Sequence, residues 1–205
     1  MKKPKLIFLP CLLLLSALLV ACSESTEVGK YHDWQARNEA FIDSIKALSP
    51  ITIQHGDIAT VKAMPVGTLF AIPVASVTDD DSPFVYCKKI EANPEGRRPV
   101  FTDRVNVFYY GTLITGDNFN GNFEGYSALD KTFSGDKKPT EFNSTSTFSV
   151  LGVISGWREA LQYMRTGERW MLYIPWRSGY GAEGYKGIIG YSALTFDVQL
   201  VSVEE

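Results

Sequence analysis

The stretch VLGVISGWREALQYM, Val150 to Met164, decides the fold, because it carries the strongest helical signal in a half of the chain that otherwise reads as strands. Trp157, Ala160, Leu161 and Met164 recur at helical spacing, so the segment predicts an amphipathic helix over 156–166 with a buried stripe. Ser155 or Gly156 can cap it, Glu159 lies in its first turn, and Gly167 is placed to stop it. The stripe opens with the largest side chain available, directly after VISG. Core packing alone would account for that tryptophan. A second role, as the floor of a cavity, depends on what surrounds it.

Four strand patterns surround it. PFVYCKKIEA (83–92) is followed by the turn-rich NPEGRRP, and DRVNVFYYGTL (103–113) then alternates with Val105, Val107 and Tyr109 on one side. ERWMLYIP (168–175) alternates too. So does ALTFDVQLVSV (193–203), with Leu194, Phe196, Val198 and Leu200 on one face. One helix against several antiparallel strands is an α+β arrangement. Residues 115–147, rich in Gly, Asn, Ser, Thr and Asp, are too long for a hairpin turn and read as a surface insertion.

Upstream, DWQARNEAFIDSIKALSP predicts a helix over 34–48. Asp33 can cap it, Trp34, Phe41, Ile45 and Leu48 share a face, and Ser49-Pro50 ends it. That face needs a cover, either the rest of the chain or a second copy through a homodimer. Residues 51–83 read as irregular or short-stranded.

The N-terminus speaks to compartment. Lys2, Lys3 and Lys5 precede the apolar run LIFLPCLLLLSALLVAC, a charged region followed by a hydrophobic one. Leu19-Val20-Ala21-Cys22 resembles the lipobox of bacterial lipoproteins, in which the cysteine is lipidated and becomes the first mature residue. An ordinary secretory signal with an incidental cysteine is the alternative. Ser23 after the cysteine, in place of a retention aspartate, favours the outer membrane. The expected layout is a signal peptide over 1–21 and an acidic tether over 22–33. A helix and extension over 34–83 then lead to the main domain over 84–205, with its insertion near 121–147.

Composition excludes several classes. Of the cysteines at 11, 22 and 87, cleavage removes the first and lipidation occupies the second, so Cys87 has no disulfide partner. Without the three leader lysines, 17 basic residues face 23 acidic ones, a formal charge of −6 that argues against nucleic acid. His32 and His55 lack ligand-spaced partners, which argues against a zinc site. No glycine-rich phosphate loop stands between a strand and a helix, and no serine sits in a nucleophile elbow. What remains is a density of aromatic and aliphatic residues at strand ends and in loops.

VNVFYYGTL, GVISGWREALQYMRTGERWMLYIP, GYGAEGYKGIIG and ALTFDVQL occur in the order and near the spacing of the FKBP-type peptidyl-prolyl cis-trans isomerases. The chain resembles that family over roughly 84–203, and is most similar to its lipoprotein forms in Bacteroidetes-like bacteria. The resemblance implies an FKBP-like twisted antiparallel sheet wrapped around one short helix, with a hydrophobic pocket between them and an N-terminal helical extension outside it. It implies that Trp157 is the pocket floor. Val153 and Ile154 would line the wall, with the Ile154 N–H receiving a substrate carbonyl. Tyr109 and Phe196 would be wall aromatics, Tyr180 a hydroxyl donor to bound peptide, and Tyr185, Ile188 and Ile189 the overhanging loop. No metal or cofactor is implied, and the partners would be proline-containing polypeptides.

Two departures stand out. The family's Phe-Asp pair falls on Phe119-Asn120, so an amide replaces a carboxylate; Leu129-Asp130 is a second candidate that restores the acid and loses the aromatic. Gly190 follows Ile189 where relatives often carry proline. Two functions follow from the resemblance: an isomerase acting on exported proteins, or a binding module or chaperone subunit of the same fold with weak catalysis.

Overall fold

The strands grow from the alternating segments. The elements, in chain order, are α1 (Trp34–Lys46), β1 (Ile51–Thr52), α2 (Ile58–Ala63), β2 (Leu69–Pro73), β3 (Phe84–Glu91) and β4 (Arg104–Leu113). They continue with β5 (Asn118–Gly121), β6 (Ser146–Ser149), α3 (Ser155–Leu161), β7 (Arg169–Ile174) and β8 (Leu194–Val203). This computed structural model describes residues 29–48, 50–77 and 83–204. The leader, Cys22, most of the tether and Ser49, expected to end the first helix, lie outside the described residues. Residues 33–205 form one unit; of the unit before it, the described part is a turn closed by His32 N–H to the Gly29 carbonyl at 2.8 Å.

One sheet runs in the order β1-β2-β3-β7-β8-β4-β5, with β6 also on the edge of β4. Every pairing is antiparallel except β1 with β2, which is parallel. The region read as irregular thus contributes β2, which pairs with β3 from Leu69↔Lys88 to Pro73↔Phe84. Side chains alternate between the two faces. On β7, Trp170, Leu172 and Ile174 join the core under α3, while Met171 and Tyr173 join a second cluster on the opposite face. Each large apolar side chain so buried contributes roughly 1.5–3 kcal/mol.

The helix of the opening stretch lies on the first face. Trp157, Ala160, Leu161 and Met164 are all buried, as their spacing predicts. It is shorter than expected, ending at Leu161 rather than 166. Tyr163 and Met164 both donate to the Ala160 carbonyl, tightening the last turn so that the chain can swing into β7. Gly167, at φ +84°, therefore opens the strand connection, donating to Leu200, instead of stopping a helix. Ile154, not Ser155 or Gly156, is the cap residue. A Cβ at Gly156 would lie 2.6 Å from the Ile174 side chain, so the close approach of α3 to β7 requires glycine there.

Helix α1 packs mainly on the other face, on its own chain. Ile42 sits in a cluster with Ala71, Tyr86, Met171 and Tyr173. The buried stripe is Trp34, Asn38 and Ile42 rather than the predicted Trp34, Phe41, Ile45 and Leu48. Phe41 and Ile45 are half-buried and Leu48 is exposed. Asn38, fully buried, is the polar residue that pattern reading could not place on the inner face: its amide donates to Trp34 O and its oxygen accepts from Ala193 N. Asp33 has φ 48° and its side chain makes no capping hydrogen bond.

Candidate active site

The pocket is built where β4, β5, β6 and β8 curl past the start of α3. Trp157 lies at its base, 96% buried, with three aromatic rings standing edge-on around it. Tyr109 is 5.6 Å away by ring centroids, Phe148 5.6 Å and Phe196 5.2 Å. Tyr109 and Phe148 are themselves T-shaped at 5.4 Å. Edge-to-face contacts of this kind place each ring's positive edge on a neighbour's negative face and hold the cluster in one geometry.

Neighbouring residues on a regular strand point to opposite faces, yet Phe119 and Asn120 both line this cavity. The reason is a slip of register. Gly111 pairs with Asn120 and Thr112 with Asn118, so Phe119 has no partner of its own and is turned inward by the bulge. Phe119 then meets Phe196 edge-on at 5.4 Å. Gly111 makes the space: a Cβ there would lie 2.7 Å from Phe196 and 2.8 Å from Phe119.

The cavity, of about 260 Å³, is lined by Tyr109, Phe119, Asn120, Phe148, Gly152, Val153, Ile154, Trp157, Tyr180, Tyr185 and Phe196. It unites nine of the eleven pocket residues singled out from the sequence. Ile188 and Ile189 are not among its lining: Ile188 is buried against the core, and Ile189 is partly exposed. Phe148 and Gly152 escaped the sequence reading. Phe148 sits on β6, at the end of the polar 115–147 segment, and only its register opposite Val105 brings it beside Tyr109. The alternation in TFSV was its one local signal.

Ile154 caps α3 with its carbonyl, which accepts from Arg158 N at 3.0 Å. Its own N–H stands outside the helical ladder, at the pocket wall. On the opposite rim Tyr180 stacks on Tyr185, ring centroids 5.1 Å apart and planes 17° from parallel. Burial pushes the Tyr109 hydroxyl above the usual tyrosine range, with Tyr180 adding to it, and burial does the same to Tyr180. Both are therefore neutral donors at physiological pH.

Asp130 lies away from this cavity. Its carboxylate accepts from Ser127 N and Oγ and pairs with Lys137 at 3.1 Å, lining a separate cleft beside α1. Geometry thus leaves Asn120 as the polar residue on that wall. The 121–147 insertion does not cover the pocket either. Asn122 fastens its start, accepting from Tyr109 N and donating to Val107 O and Ser146 Oγ, so that one side chain bridges the gap between β5 and β6 along β4. Tyr126 N donates to Asp197, which is bound through two hydrogen bonds by Arg169 under the sheet.

Comparison with known proteins agrees with this geometry. Residues 95–201 match the family described as FKBP-type peptidyl-prolyl cis-trans isomerase. The chain is 33% identical over 168 residues to a Macrophage infectivity potentiator of Trypanosoma cruzi, covering 80% of this chain and 76% of that protein. It is 36% identical over 111 residues to the Outer membrane protein MIP of Legionella longbeachae, covering 54% of this chain and 40% of that protein. The crystal structure of FkpA from Escherichia coli superimposes with a TM-score of 0.54 at 26% identity, over 84% of this chain and 62% of that one. This chain belongs to the FKBP-type peptidyl-prolyl cis-trans isomerase family.

Proposed function

We propose that the chain catalyses cis-trans isomerisation of X-Pro bonds in exported polypeptides, held in the cell envelope by a lipid on Cys22. The observation that carries the activity is the aromatic cavity over Trp157, lined by neutral groups alone. The name of the Legionella relative, an outer membrane protein, supports the envelope.

Rotation about a peptide bond breaks amide resonance, a barrier of about 18–20 kcal/mol, and uncatalysed X-Pro exchange takes tens of seconds or more. At the twisted transition state the amide loses conjugation and becomes less dipolar. An apolar cavity disfavours the planar amide relative to that state, and fixed donors hold the flanking carbonyls in place. Here the proline ring rests on Trp157 between Tyr109, Phe148 and Phe196. The Ile154 N–H and the Tyr180 hydroxyl serve as donors. No nucleophile is needed.

A second reading, a binding module that holds proline-containing segments with little turnover, is favoured by Asn120 standing where the family places a carboxylate. A cis-to-trans exchange assay on an X-Pro peptide, using the chain from Ser23 onward, separates the two. Acceleration that is lost in a folded Tyr180→Phe variant supports the enzyme. Peptide binding without acceleration supports the binding module and overturns the isomerase.

A further inference from the structure

The loop between the pocket and β8 holds a conformation that its sequence resists. Lys186 at φ 43° and Tyr191 at φ 62° are left-handed without being glycine. A Cβ at Gly190 would overlap the Ala182 carbonyl oxygen at 1.7 Å. Such a loop stays in place only where contacts over-determine it. Its tip is closed by its own backbone: Tyr185 N–H donates to Ile188 O and Ile188 N–H to Tyr185 O, each at 2.9 Å.

Its foot is held from elsewhere. Trp34 Nε1 on α1 donates to Ser192 Oγ at 2.9 Å, and that hydroxyl donates to Ile189 O at 2.6 Å. Asn38 Oδ1 accepts from Ala193 N at 2.8 Å. All four residues of the clamp are buried, Asn38 and Ala193 completely, so no water stands ready to replace these bonds. The clamp sits one residue before β8, which carries Phe196, and one hydroxyl away from the turn that carries Tyr185 onto Tyr180.

We propose that Trp34 and Asn38 are positioning residues for the isomerase pocket: helix α1 fixes the foot of the 185–193 loop and thereby the Tyr185–Tyr180 rim that meets the peptide. The proposal rests on the function proposed above. The N-terminal helix is then part of the working enzyme, acting on the cavity through this loop. Because the clamped loop carries Tyr185 and not Tyr180, its loosening weakens binding more than turnover.

The test uses the full chain and the variants Trp34→Phe, which removes only the indole donor, Ser192→Ala, and Ser192→Thr, which keeps the hydroxyl. Two readouts are taken well below the unfolding temperature: amide exchange at Tyr185 and Ile188, which bond to each other and not to α1, and kcat and KM for an X-Pro peptide. The loss of one buried hydrogen bond predicts roughly fivefold faster exchange at both amides and a similar rise in KM, with kcat nearly unchanged and wild-type behaviour in Ser192→Thr. If Trp34→Phe fails to fold, Ser192→Ala carries the same comparison. Folded variants with unaltered exchange and unaltered KM would overturn the clamp. If the wild-type chain shows no turnover, the isomerase falls, and the exchange arm still decides whether α1 holds the loop.

Discussion

The hydroxyl of Tyr109 donates a 2.9 Å hydrogen bond to Oδ1 of Asn120, and the same oxygen accepts from Gly121 N at 2.9 Å. Two donors converging on one atom determine which way the amide points. The pocket wall therefore carries a satisfied neutral acceptor where the family pattern has a carboxylate, and the polarity of the cavity comes from oriented dipoles alone.

Replacing Asn120 tests what that neutrality costs. Hydrogen bonds to charged groups are worth about 1 kcal/mol more than neutral ones, so Asn120→Asp is expected to raise kcat/KM roughly fivefold. Asn120→Leu leaves the Tyr109 hydroxyl unpaired and should lower it by a similar factor. Equal rates in all three proteins would remove Asn120 from the reaction.

Gly111 sets the shape of the wall. In Gly111→Ala the new methyl would press on both Phe119 and Phe196, a clash expected to cost about 1–3 kcal/mol of stability. Displacing Phe119 narrows the cavity, so peptide affinity should fall as well. Denaturant unfolding and peptide titration together check both; a variant that unfolds like wild type and binds normally would show that the bulge can absorb the methyl.

The Arg169–Asp197 pair lies with both side chains fully buried beneath the 123–126 segment, Nε to Oδ1 at 2.8 Å and Nη2 to Oδ2 at 2.5 Å. Truncating Asp197 leaves the buried Arg169 with only Glu91, 4.0 Å away, to compensate its charge. Asp197→Ala is thus expected to lose about 3–5 kcal/mol, more than the paired Arg169→Met/Asp197→Leu replacement. Chemical denaturation of the two variants gives the order directly.

The pH profile should separate rate from stability. With Tyr109 and Tyr180 held above their ordinary range by burial and no acid on the wall, kcat/KM should stay flat from about pH 5 to about pH 9. Stability behaves differently at the acid end. Hydrogen bonds from Ser134 and Tyr126 hold the Asp136 carboxyl down at about 2, below its unfolded value. Its contribution is fully present above the ordinary carboxylate range and fades as pH falls through about 2. Asp136→Asn should flatten that part of the acid unfolding curve.

Much of this protein was legible in local pattern. The stripe Trp157, Ala160, Leu161 and Met164 is buried as its spacing predicts, because period 3.6 against a sheet leaves one face with nowhere else to go. Val105, Val107 and Tyr109 on β4, and Leu194, Phe196, Val198 and Leu200 on β8, all enter the core under the helix, as the period-two rule predicts. Of the eleven pocket residues expected from the collinear motifs and the spacing between them, nine line one cavity.

Tertiary structure decided the remainder, and in each case a long-range contact overrode a local preference. Asn38 became a buried clamp because a backbone N–H 155 residues away needed an acceptor. Phe148 became a pocket wall because β6 pairs with β4 across the insertion, and Asp130 left the site because Lys137 and Ser127 satisfy it elsewhere. Period and composition register which side chains must avoid water. They carry no record of which distant partner will satisfy a polar group, and that choice, made only when the sheet closes, set the rim and the wall of this pocket.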